Sequence, residues 1–178
     1  MVFLAIMNVQ DRINRYRKRG FQQVEAEILV LIEESAAALF TSFPDHFILF
    51  GGATLVLFYE SPRLSRDLDL LASPSQILKP EEIQAVVRSS IQQTAETLGL
   101  GQLEFRKDID GPAFVKQWVL ANQKPLFSID LTRIGGNVSW KPKSLGRPLP
   151  ALPKKLSLHQ AHSTSCSRNV KRFSPAVT

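Results

Sequence analysis

The sequence predicts an α+β, mixed α/β fold with a layer of helices on a sheet. Three observations lead there. Apolar residues recur at helical spacing over residues 21–42, acids and leucines alternate over residues 67–71, and everything from 103 to 133 has β character. At 178 residues, with 44% hydrophobic and 21% charged residues, the chain is large enough for one ordinary domain with a core. The expected division is a folded domain over residues 1–140, its core about 21–135, followed by a tail over 141–178.

The elements follow in order. Phe21, Val24, Ile28, Leu31, Ile32, Leu39 and Phe40 stand three and four apart, with Ala36, Ala37 and Ala38 as strong helix formers, so residues 21–42 read as an amphipathic helix that Pro44 ends. The apolar run 47–50 reads as a buried strand, and a second helix follows Gly51 and Gly52 and stops before Pro62. Residues 67–71 have the period of a strand. Pro80, then Glu81 and Glu82, open a helix that Gly99 closes. Strands are predicted at 103–106, 114–120 and 126–133, the last two joined by a turn through Asn122, Gln123, Lys124 and Pro125 in a hairpin or meander.

Composition limits the function classes. The uncharged stretch 47–59 is too short for a bilayer span, which takes about 18 or more residues, so no membrane span is expected. The apolar residues 1–7 have no basic segment before them and no small-residue cleavage site after them, so a secretory leader is not expected. Cys166 is the single cysteine and has no disulfide partner in the chain, which fits a reducing cytoplasm.

The formal charge is +6, but it is unevenly spread. Residues 141–178 hold eight Lys and Arg and no acid, while the other 140 residues hold 14 basic and 16 acidic side chains. The tail also carries five prolines and six serines and has no helical periodicity, so it is expected to be disordered. It is either a solvated tail or a salt-sensitive binder of polyanions. A second cluster, Arg12, Arg15, Arg17, Lys18 and Arg19 around Tyr16, is compatible with RNA contact or with a solvated helix face. His46, His159 and His162 lack the companions of a zinc site, and Trp118 and Trp140 read as packing residues.

Three features carry chemistry. Gly51 and Gly52 sit at a strand-to-helix turn, where free N–H groups and the helix dipole favour an anion. Asp67 and Asp69 are two apart on a strand, so both carboxylates leave the same face, and a divalent cation would relieve their repulsion. Asp130 lies in another strand between apolar neighbours, where it would add a third carboxylate as metal ligand or as a base. Without that convergence, Gly51 and Gly52 would serve backbone geometry and the acids would line a solvated face.

Residues 49–71, which contain Gly51, Gly52, Thr54, Arg63, Ser65, Asp67 and Asp69, resemble the signature of the AbiEii/AbiGii-type nucleotidyltransferase toxins, the toxin arm of abortive-infection and type IV toxin–antitoxin systems. The resemblance implies a DNA polymerase β-like nucleotidyltransferase fold. It implies that Gly51, Gly52 and Thr54 lie near the nucleotide phosphates, that Asp67, Asp69 and Asp130 are catalytic and hold Mg²⁺ (or Mn²⁺), and that Arg63 and Ser65 reach phosphate or brace the Asp strand. The implied reaction takes a nucleoside monophosphate from an NTP to an RNA (tRNA) or protein acceptor, and the implied partner is a cognate antitoxin. Members of the family continue into a helical C-terminal region with a lysine and a further Asp; residues 141–178 show no such pattern. The alternative expectation is therefore a truncated or catalytically impaired remnant that acts as a binding module. Small-molecule nucleotidyl transfer would share the same metal site.

Overall fold

The computed structural model describes residues 8–72 and 78–133, together with the backbone of 141–143 and 158–160. Four helices, α1 (Val9–Lys18), α2 (Gln23–Ser42), α3 (Gly51–Phe58) and α4 (Pro80–Thr97), accompany the strands β1 (Phe47–Phe50), β2 (Asp67–Ala72), β3 (Leu103–Asp110), β4 (Phe114–Ala121) and β5 (Lys124–Arg133). The five strands form one mixed sheet in the order β1-β2-β5-β4-β3, with β2 and β5 parallel and the other pairs antiparallel. The expected disordered tail lies outside the described residues, apart from β6 (Lys141–Lys143) and β7 (Leu158–Gln160), which pair antiparallel.

The sheet is amphipathic across its thickness. Leu68, Leu70 and Ala72 of β2, Phe127, Ile129 and Leu131 of β5, and Val115 and Val119 of β4 are buried on one face. Gln117 shares that face and donates to the Pro80 carbonyl at 3.1 Å, which ties the start of α4 to the sheet. The alternate residues Asp67, Asp69, Lys116, Trp118 and Asp130 are half-buried on the opposite face. Alternation in β2 thus does two jobs: its leucines fill the core and its acids stay near solvent.

Local chemistry sets the element ends. The Glu25 carboxylate accepts from the Gln22 N–H at 2.8 Å and the Glu82 carboxylate from the Lys79 N–H at 2.7 Å, each closing the first turn of a helix. Asn122 and Gln123 take φ of 50° and 64°, so the β4–β5 turn is two residues long rather than four. Strand β5 therefore begins at Lys124, and Pro125, which has no N–H to donate, sits at the register shift beside Leu120.

The structure also changes the reading of the first basic cluster. Residues 9–18 are a helix docked on α2, and much of the cluster faces inward. Glu33, 1% exposed, pairs with Arg15 at 2.7 Å and Arg12 at 3.5 Å and accepts from the Tyr16 hydroxyl at 3.0 Å; Arg12 also pairs with Glu34. Burial and the Glu33 carboxylate push the Tyr16 hydroxyl up, so it stays a donor. Arg19 donates to the carbonyls of Val56 at 2.8 Å and Ser61 at 3.1 Å, which fixes α1 to the end of α3. A wholly solvated helix face is thus corrected: Arg12, Arg15 and Arg19 staple the fold, and Arg17 and Lys18 remain exposed.

Candidate nucleotidyltransfer site

The three acids meet on the open face of the sheet. Strand register places Asp69 opposite Asp130 and Asp67 opposite Ser128, so two adjacent parallel strands bring both halves of the constellation together. The buried Ser128 hydroxyl lies 2.9 Å from Asp67 Oδ1 and 2.7 Å from Asp130 Oδ1. It has one proton to give, so it joins the two carboxylates as a single shared donor. From the next strand, Lys116 Nζ donates to Asp130 Oδ2 at 2.9 Å, with side chains 20% and 14% exposed.

The glycine pair is explained by these neighbours. Gly51 has a φ of +69°, and a Cβ there would overlap the Asp69 carboxylate. A Cβ at Gly52 would stand 2.6 Å from Ser65 Oγ. The turn from β1 into α3 therefore presses its backbone against the acidic strand, and only residues without side chains permit that approach. Ser65, buried, donates to the Asp67 carbonyl at 3.3 Å, a brace at the mouth of β2.

The remaining expected residues fall in different places. The Thr54 hydroxyl is buried without a hydrogen-bond partner among the described residues. Arg63 is exposed on the loop before β2, where its N–H is held by Ser61 Oγ at 3.3 Å. Sequence reasoning missed Ser128 and Lys116. The available signal was parity: Ser128 is two residues before Asp130 and shares its face, and Lys116, between Val115 and Gln117, is the one charged residue of β4.

Electrostatics follow from the crowding. Burial first, then the charges of Asp130 and Asp67, hold the Asp69 carboxyl above its ordinary value of 3.8, against the opposing pull of Lys116. Lys116 loses solvation, but its bond to Asp130 and the acids around it outweigh that loss and raise its affinity for the proton. Three carboxylates thus share one fixed ammonium. Among the described residues, no three His, Cys, Asp or Glu side chains stand together in ligating geometry. Asp130 is engaged by Ser128 and Lys116, whereas Asp69 accepts no hydrogen bond from a described side chain. The donor set suits a hard cation that takes one or two carboxylates and completes its shell with phosphate oxygens.

Residues 36–132, more than half of the chain, match the family model described as nucleotidyl transferase AbiEii toxin, type IV TA system. The chain belongs to this family. The AbiEii match spans Gly51, Gly52, Asp67, Asp69 and Asp130, so the paired glycines and all three acids lie within it. Among solved structures, the chain is similar to MenT4, a nucleotidyltransferase toxin from Mycobacterium tuberculosis H37Rv, with 18% identity and a TM-score of 0.42. That alignment covers 83% of this chain and 54% of MenT4, so the chain spans about half the length of that toxin. No curated protein matches the sequence. No helix among the described residues is long and apolar enough to cross a membrane.

Proposed function

We propose that this chain acts in the cytoplasm as a metal-dependent nucleotidyltransferase, the toxin arm of a toxin–antitoxin system, moving a nucleoside monophosphate from an NTP to a hydroxyl of an RNA or protein acceptor. The observation that carries the reading is the gathering of Asp67, Asp69 and Asp130 on one face beside Gly51, whose missing side chain makes room for the Asp69 carboxylate. In the transfer, the acceptor oxygen bonds to the α-phosphorus, the bond to the β-phosphate oxygen breaks, and pyrophosphate leaves.

Asp67 and Asp69 are the residues to hold Mg²⁺ or Mn²⁺, which when bound would draw charge from the phosphoryl oxygens. Asp69, crowded by burial and two like charges, gains from a cation. Asp130, the third carboxylate on the same face, opposite Asp69, is the one we assign to take the acceptor's proton. Ser128 fixes the spacing of Asp67 and Asp130, and Ser65 fixes the backbone under Asp67. In this reading the free N–H groups at the start of α3, which opens at Gly51, meet the triphosphate, and the exposed Arg63 supplies a positive arm to it.

Incubation with each radiolabelled NTP, Mg²⁺ and a tRNA pool tests the proposal. Label should move to RNA or to protein with the native chain and not with Asp67→Ala plus Asp69→Ala. Equal labelling by both, or none by the native chain, contradicts it, the second outcome favouring the binding-module reading.

A further inference from the structure

The described residues place one ammonium beside the three carboxylates, in contact with Asp130, and its position defines a role distinct from theirs. Lys116 enters from β4, the strand on the far side of β5 from β2, and lies against Asp130 Oδ2, the oxygen not taken by Ser128. Its Nζ also stands 4.8 Å from the centre of the Trp118 ring, and the Trp118 Nε1–H donates to Asp108 at 3.1 Å. The Lys116 and Asp130 side chains are both half-buried, and their ion pair at 2.9 Å holds the ammonium at the carboxylate.

Phosphoryl transfer sites with two divalent ions use both to clamp the attacking and leaving oxygens. Three carboxylates on neighbouring strands carry negative charge enough to draw such a pair. Here one of the three is already neutralised, and the charge left over, two negative, matches a single divalent ion. We propose that Lys116 stands in for a second divalent ion, so that the site takes one Mg²⁺ or Mn²⁺, on Asp67 and Asp69, while Lys116 keeps Asp130 for itself. This inference rests on the metal-dependent reading of the site given above.

The test is Mn²⁺ binding to the full chain without nucleotide, followed by electron paramagnetic resonance and calorimetry. Native protein should bind one Mn²⁺. Lys116→Met should bind two, with the first held at least tenfold more tightly, and Lys116→Arg, which keeps the charge, should bind one. Lys116→Gln gives a second neutral variant should the methionine disturb β4, with circular dichroism and urea unfolding as folding checks. Two ions on the native chain, or a single ion with unchanged affinity on both neutral variants, overturn the inference and leave the metal site standing. Absence of Mn²⁺ binding by every variant overturns the inference and the metal-dependent reading together.

Discussion

Gly51 is the residue where backbone geometry and site chemistry meet. Its φ of +69° disfavours any side chain, and the Asp69 carboxylate fills the space a Cβ would take. Gly51→Ala should cost about 1–3 kcal/mol in urea unfolding, the range for a side chain forced into the left-handed region, and should weaken divalent binding by displacing Asp69. An alanine variant with native stability and native metal affinity would contradict that close approach. Asp69 supplies a second prediction. Because burial and its neighbours hold its folded carboxyl above 3.8, the unfolded chain releases this proton first as pH rises. The contribution is therefore unfavourable above the raised value, fades through the interval between it and 3.8, and is absent at lower pH. In metal-free buffer, Asp69→Asn should remove this fall in stability with rising pH and unfold at a higher urea concentration than the native chain at neutral pH. A native profile no steeper than that of Asp69→Asn would contradict it.

Pairing between elements decides what a single segment cannot reveal. Asp67, Asp69 and Asp130 were legible because each stands out within its own strand: two acids alternating with leucine, and one acid among apolar residues. Lys116 and Ser128 were not, because their role depends on β4, β5 and β2 lying side by side in one register, which no local pattern encodes. Helix α1 shows the same limit. Its cations were visible, but the partner that turns them inward, Glu33, looked like one polar residue on a long amphipathic helix. Since Glu33 is 1% exposed and pairs with two guanidinium groups, Glu33→Ala leaves buried charge without a partner and should destabilise the fold by about 3–5 kcal/mol. Urea unfolding measures it. The site should bind metal normally in the folded variant, because α1 is anchored to α2 and α3 rather than to β2. A loss below about 1 kcal/mol would show that the network is replaceable.

As a whole, the molecule gives one sheet face to the apolar core and the other to its acids. Helices α2 and α4 cover the face of Leu68, Ile129 and Val119, so stability rests there, while the acids occupy the face that the described helices leave half open. Substitutions on the two faces should therefore separate. Ile129→Ala should lower stability by about 2–5 kcal/mol with metal affinity per folded molecule retained, whereas Asp67→Asn should abolish metal binding at little cost in stability. Paired urea and Mn²⁺ titrations check this, and loss of metal affinity in folded Ile129→Ala would argue against the division.

The central claim, that Asp67 and Asp69 hold a divalent ion beside the Gly51 turn, is tested most directly by anomalous diffraction from a crystal soaked in Mn²⁺. The account predicts a Mn²⁺ peak within coordination distance of both carboxylates, lost in Asp69→Asn. A map with no peak there, or with manganese only at other acids, would contradict it.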